Sequence, residues 1–157
     1  MYKNIKGFST IEISIAIAIV LILVMLSAPN VVIWMDNENL NSTARGLKVN
    51  LEMAKARAIK ENAFVITNLS ASSYTIFVDN GSGGGFANDG VRSGQEEILA
   101  NKSVLNNVTI NLTAPNLTSI RFNGRGIPNV TGSIVLNNNM GKTKRININI
   151  IGRITIQ

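Results

Sequence analysis

Two sets of ionisable residues stand apart by position, and each suggests its own chemistry. Glu12 is the only ionisable side chain between Phe8 and Pro29, in a stretch dominated by Ile, Val, Leu and Ala. A carboxylate in such surroundings is costly to leave unpaired. It either reaches back to the water interface or awaits a cation from another copy of the chain, and the residue types leave both readings open. At the other end, Lys102, Arg121, Arg125, Lys142, Lys144, Arg145 and Arg153 follow Glu97 with no acid among them. Unopposed bases suit a polyanion, because each phosphate contact releases counterions; they equally suit a solvated surface facing anionic lipid or acidic partners. Cys and His are both absent, which removes disulfides, thiolate or imidazole metal ligands, Cys or Ser–His nucleophiles and histidine pH switching. No grouping of carboxylate, nucleophile and base can be assembled, so no enzyme, cofactor or metal is expected.

The chain that positions these groups has 157 residues and a net charge of +6, with 45% apolar and 15% charged residues. That is one domain of ordinary size, too apolar for long disorder. Ile13 to Met35 carries no charged side chain. At about 1.5 Å per helical residue, roughly 20 residues cross the hydrocarbon layer, so the run is long enough to span. It is too long for the core of a cleaved secretory signal, and Ser27-Ala28-Pro29 ends such a signal poorly. A buried core helix would need a larger protein around it. Lys3 and Lys6 just before the run put the N-terminus in the cytoplasm and the polar remainder outside.

Pro29 should kink the helix or interrupt one turn. Beyond it Leu40, Ala44, Leu47, Leu51, Ala54 and Ala58 recur at spacings of four and three, one apolar stripe on an amphipathic helix. One long helix is expected from about Phe8 to Glu61, stopped by Asn62. The period then changes. AFVITNL (63–69) and SYTIFVD (73–79) read as a hairpin. DNGSGGGFANDGVRSGQ (79–95) reads as a flexible surface loop; it lacks the context of a phosphate cradle. A calcium site on Asp79, Asn80 and Asp89 lacks EF-hand spacing. EEILA, SVLNNVTINLT, TSIRFN, GSIVLNN, KRININI and RITIQ are short alternating segments, with Ile146, Ile148 and Ile150 forming a half-buried antiparallel face. Triplets such as Asn107-Val108-Thr109 read as surface polarity rather than glycosylation sites. The fold class is α+β: a long N-terminal helix packed on small antiparallel sheets.

The stretch Lys6-Gly7-Phe8-Ser9-Thr10-Ile11-Glu12, followed by the apolar run, resembles the class III signal of type IV pilins and pseudopilins. In that family a short basic leader ends in Gly, Phe follows, and Glu is fifth in the mature chain. Thr10 departs from the larger apolar residue common there and does not touch the cleavage pair. The resemblance implies a cleaved leader (1–7), a transmembrane and assembly helix (8–29), an amphipathic second half (30–62) and an exported β-rich domain (63–157). It implies cleavage between Gly7 and Phe8 by a prepilin peptidase and N-methylation of Phe8. Glu12 would meet the Phe8 amine of a neighbouring subunit. The implied partners are other pilins or pseudopilins, an inner-membrane assembly platform and the lipid bilayer. The implied place is the bacterial inner membrane, single-pass, with a periplasmic C-terminal domain and incorporation into a periplasmic or extracellular filament.

A narrower resemblance lies in Ala44-Arg45, Ala54-Lys55-Ala56-Arg57-Ala58-Ile59, Phe122-Asn123-Gly124-Arg125-Gly126, Gly132-Ser133-Ile134-Val135-Leu136 and Ile151-Gly152-Arg153-Ile154. Together these are similar to the H-type minor pseudopilins and FimT-like minor pilins. They imply a non-catalytic minor subunit of a type II secretion pseudopilus or type IV pilus, working in initiation or near the tip. The alternative is a FimT-like subunit that binds DNA through its basic C-terminal face, with Arg125, Lys142, Lys144, Arg145 and Arg153 as candidate polyanion-binding residues. The family's Gly-Arg-x-Arg phrase is incomplete here, because Thr155 follows Gly152-Arg153-Ile154. Phe122 is the only aromatic after Phe86, so base stacking has little support.

Overall fold

The computed structural model of the chain describes residues 7–112 and 117–157, with the side chains of residues 26–30 outside that description. Lys3, Lys6 and the rest of the expected leader before Gly7 lie outside the described residues. The chain divides into two compact units, one ending at Met35 and the other running from Asp36 to Gln157.

The first unit is the beginning of helix α1, Thr10–Glu61. Ser9 stands at its N-cap, where its carbonyl accepts the Ile13 amide at 3.2 Å. The helical backbone runs unbroken through Pro29, so the expected interruption does not occur. A proline withdraws one amide from the ladder, and the hydrogen bonds on either side carry the helix across. Large aliphatic side chains from Ile13 to Val24 stand more than half exposed or close to it all round the helix. Such a helix is made to be covered. Among the described residues no helix is long and apolar enough to cross a membrane. The expected span, Ile13–Met35, includes the five residues whose side chains lie outside the description.

The second unit is α+β. It contains the rest of α1 and, among the described residues, eight strands: β1 (Phe64–Leu69), β2 (Ser73–Asp79), β3 (Ile98–Ser103), β4 (Val108–Asn111), β5 (Ser119–Phe122), β6 (Gly132–Asn138), β7 (Thr143–Ile148) and β8 (Ile154–Ile156). They form two four-stranded sheets in the orders β3-β2-β1-β5 and β4-β6-β7-β8. All pairs are antiparallel. The expected segment SVLNNVTINLT is split: β3 ends at Ser103, and Asn107 turns at φ +64 before β4 begins. Asparagine tolerates this left-handed region better than other residues bearing a Cβ.

Leu40, Ala44, Leu47, Leu51, Ala54 and Ala58 are all at most 2% exposed. They share one core with Val65, Ile76 and Ile120 of the first sheet and Ile134, Leu136 and Ile146 of the second. The alanines let the helix lie close to the strands, and the leucines fill the space between. The helix stops where the stripe stops. Asn62 takes φ +50, and the Ala63 amide reaches back to the Ala58 carbonyl at 3.3 Å, the six-residue bond of a Schellman cap.

The glycine-rich segment between β2 and β3 carries more internal bonding than the expected flexible loop. Two buried carboxylates hold it. Asp79 accepts the amides of Asn88 and Gly90 at 2.7 and 2.9 Å. Glu96 accepts those of Gly81 and Ser93 at 2.9 and 2.8 Å. Charge-assisted bonds of this kind are stronger than neutral ones. Asp79 spends both oxygens on backbone, and Asn80 and Asp89 bond to Ser82 and Val91 within their own turns. The three side chains weighed as calcium ligands are therefore each engaged in shaping the loop.

Replacing Leu47 by Ala should lower unfolding free energy by roughly 2–5 kcal/mol, because Leu47 is fully buried in a core shared with both sheets and its removal leaves a cavity; urea denaturation measures it. A second expectation concerns alkaline pH. Burial pushes the Tyr74 hydroxyl above its ordinary value of 10.0, against a smaller opposing effect of its hydrogen bond from Asn50. The folded state thus prefers the neutral phenol. That contribution is complete below the ordinary value and is lost as pH rises through the raised one. Stability of Tyr74→Phe should fall less steeply than that of the parent in this alkaline range.

Candidate functional site

The N-terminal candidates lie together at the start of α1. Gly7, Phe8 and Ser9 precede the first helical turn and are outside regular structure. Phe8 is 81% exposed, so the Gly7–Phe8 bond lies in open, non-helical backbone. Glu12 falls in the first turn, where the helix dipole favours a negative charge. It lines one open apolar concavity of about 430 Å3 with Phe8, Ile13, Ala16, Ile17 and Val20. The spacing of three, four and five residues puts these on one helix face. No hydrogen bond or ion pair reaches the Glu12 carboxylate from the described residues. Glu12 is thus an acid on an apolar face with no partner among the described residues.

The C-terminal candidates are organised by a turn that occurs three times. Asn123–Ile127, Asn138–Lys142 and Asn149–Arg153 each read Asn-x-x-Gly-x. In each, the first residue's amide donates to the fifth residue's carbonyl, and the glycine amide donates back to the asparagine carbonyl. Each asparagine Oδ1 also accepts the amides of the third and fifth residues, at 2.9 and 3.0 Å, 3.1 and 2.9 Å, and 3.2 and 2.7 Å in turn. The glycines take φ of +73, +76 and +72, the left-handed conformation that glycine adopts without penalty. Each turn carries a base: Arg125, Lys142 and Arg153.

These turns do not bring all five candidate bases together. The first and third meet, because the Gly126 carbonyl lies against Gly152. Lys55 of α1 secures the contact by donating to the carbonyls of Gly152 at 2.9 Å and Ile151 at 3.4 Å. Arg125 and Arg153 therefore leave one end of the unit, beside the exposed Ile150 and Ile151. The middle turn lies at the other end, where Asn138 donates to Asn37 at 3.2 Å. The strand between them, β7, has six residues, so Lys142 is separated from Arg153 by roughly 20 Å. Lys144 and Arg145 are consecutive on β7, on opposite faces. Arg121 is occupied differently, with its guanidinium 4.6 Å from the Phe64 ring centre. Sequence reasoning did not assign Lys55, Asp79 and Glu96 their roles in holding turns and loop. It also missed the repeated Asn-x-x-Gly-x spacing, which was present in the sequence as a signal.

A helical stem whose second half packs on two antiparallel sheets, with no cluster of metal-binding side chains among the described residues, is the architecture of the minor pilins and pseudopilins. Residues 43–152 match the family described as type II transport protein GspH, and the chain belongs to that family. It is accordingly a non-catalytic, pilin-like component. Two crystal forms of the type IV minor pilin FimU from Pseudomonas aeruginosa share the fold. Their TM-scores are 0.55 and 0.60, at 19% and 18% identity, over 75% and 79% of this chain and 92% of FimU in each case. No curated protein matches the chain in sequence.

A turn that meets another and the middle turn, which does not, give a paired expectation. At Gly152 a Cβ would be strained by its φ and would also collide with the Gly126 carbonyl; at Gly141 it would be strained only, with open space around it. Gly141→Ala should cost about 1 kcal/mol and Gly152→Ala at least twice that, read as thermal midpoints of the two variants side by side.

Proposed function

We propose that this chain is a minor subunit of a type II secretion pseudopilus or a type IV pilus, acting in initiation or near the filament tip. A prepilin peptidase cuts between Gly7 and Phe8, and the new Phe8 amine is methylated. Residues 8–29 anchor the subunit in the bacterial inner membrane, with the N-terminus cytoplasmic. Residues 30–62 continue the stem, and 63–157 form the exported domain. An inner-membrane platform then builds the subunit into a periplasmic or extracellular filament with other pilins or pseudopilins.

The observation that carries this reading is Glu12, without a partner among the described residues, on the apolar face of a helix that begins two residues after Phe8. Cleavage before Phe8 creates a cation at the chain terminus. In an apolar medium that amine and a neighbour's carboxylate satisfy one another, whereas leaving either alone costs about 3–5 kcal/mol. Register follows, because the pair closes only at one stagger between subunits. Support for the membrane anchor comes from the uncharged run Ile13–Met35 and from aliphatic side chains exposed all round the helix.

In the native host, Glu12→Ala should remain in the membrane fraction and fall at least about tenfold in the sheared filament fraction. Normal incorporation would remove the proposed role of Glu12. Mass spectrometry of the native protein should find an N-terminal peptide starting at methylated Phe8; a working protein that keeps its first seven residues would defeat the processing step.

A second reading, polyanion binding, is favoured by one observation: the Gly126–Gly152 contact gathers Arg125 and Arg153 at one end of the unit. DNA captured there would show affinity that falls with salt. Gel shifts of the detergent-solubilised chain across a salt series test this, and Arg125→Ala with Arg153→Ala should abolish any salt-dependent shift.

A further inference from the structure

The three Asn-x-x-Gly-x turns share one hydrogen-bond pattern and differ in what they carry at the tip. The second and third positions are Gly124-Arg125 in the first turn and Asn139-Met140 in the middle one. In the last they are Ile150 and Ile151, which stand 75% and 67% exposed. Turn tips usually hold Gly, Pro, Asn, Asp or Ser, each of which suits the backbone there. The other two turns make the same bonds without isoleucine, so the turn geometry does not require it.

Nor does the core, to which neither residue contributes. A scattered aliphatic side chain on a surface is ordinary, whereas a contiguous group marks a contact. Here the group is extended by Ile127, 42% exposed, next to Gly126 in the turn that touches Gly152. The tip is also firmly held. Asn149 Oδ1 accepts the Ile151 and Arg153 amides, and Lys55 donates to the carbonyls of Ile151 and Gly152. The isoleucines therefore project from a preformed turn.

Two bases flank them. Arg125 and Arg153 are exposed, and neither has an ion pair among the described residues. Glu52 shares an open groove with Arg153, but its charge is already met by Lys48 at 3.4 Å. A nucleic acid would meet the arginines and gain nothing from the isoleucines, and the two turns hold no aromatic ring for a base. A protein partner would need a pocket shaped to a convex tip. An anionic bilayer answers both features, because its phosphates meet guanidinium groups and its acyl boundary accepts aliphatic side chains of any shape. We infer that the Asn149–Arg153 turn is a membrane-docking tip. Ile150 and Ile151 enter the headgroup–acyl boundary of an anionic bilayer, and Arg125 and Arg153 bind its phosphates. This tip lies at the end of the unit opposite the Asn37–Asn138 contact and does not depend on the filament reading.

The chain contains no cysteine, so a single introduced one can carry an environment-sensitive bimane label. One label goes on Ile127→Cys, beside the intact tip. The other goes on Met140→Cys, 49% exposed at the other end of the unit. The full chain is reconstituted in phosphatidylcholine nanodiscs and titrated with vesicles of phosphatidylglycerol and phosphatidylcholine in equal parts, or of phosphatidylcholine alone. Emission of the Ile127→Cys label should shift to the blue and saturate with the mixed vesicles, at least about tenfold more tightly than with the neutral ones. The Met140→Cys label should not respond. Ile150→Ser with Ile151→Ser should weaken binding at least about tenfold. Arg125→Gln with Arg153→Gln should weaken it on the order of thirtyfold, both pairs keeping the parent's thermal midpoint. No saturable shift, equal responses from the two labels, equal binding to the two vesicle types, or full binding by either double variant would each overturn the assignment. So would a shift that grows with protein concentration before vesicles are added, which marks self-association, or a DNA duplex bound as tightly as the mixed vesicles.

Discussion

One face of one helix has to be kept dry, and the second unit is built around that requirement. The stripe from Leu40 to Ala58 is too apolar to face water and too long for a single four-stranded sheet to cover with the short strands available. Two sheets share it. The chain passes back and forth between them, from β3 to β4 to β5 to β6, so each sheet is completed only by strands that have left it and returned. The core is consequently one body rather than two stacked ones: Leu117 and Ile120 lie in it beside Ile134 and Ile154. Hydrophobic burial supplies the drive, and alanine at three of the six stripe positions sets how close the helix can come.

Polar side chains then finish what burial starts. Asp79 and Glu96 turn the connection between β2 and β3 into a structured loop by accepting its backbone amides. Arg57 bridges Glu97, beside that loop, to Glu61 near the end of α1. Asn107 donates to buried Asp36 at 2.9 Å, tying the β3–β4 connection to the first helical turn of the unit. At the opposite end Lys55 serves the β7–β8 turn. The helix is therefore pinned to the sheets at both ends by polar contacts and along its middle by apolar ones. This division suits a stem that must present a fixed domain to whatever surrounds it.

The two halves of α1 carry different residue patterns. The first half repeats aliphatic side chains all round and includes one acid; the second buries one apolar stripe and carries Arg45, Lys48, Glu52 and Lys60 outside it. The second pattern is answered within the chain. The first is left exposed among the described residues of its own unit. Glu12 shares that position, an acid on the same exposed helix with no ion pair among the described residues. The family match, confined to residues 43–152, rests on the half that is complete in itself.

Local periodicity made the elements readable. A four-and-three spacing specifies a buried helix stripe wherever it occurs, and the β1 and β6 segments alternate or cluster as strands must, so α1, its stop at Asn62 and most strand positions could be read from neighbours along the chain. The processing and assembly candidates were legible for the same reason, since Gly7, Phe8 and Glu12 lie within six consecutive residues. What could not be read locally was convergence. Lys55 meets Gly152, Tyr74 meets Asn50, and Gly126 meets Gly152 only because strand register and the helix–sheet packing bring distant positions together. The sequence determined which residues are apolar, which are charged and where the chain may turn. The tertiary structure decided that Arg125 and Arg153 gather at one end while Lys142 stands at the other, because those outcomes depend on contacts between residues that chain order keeps apart.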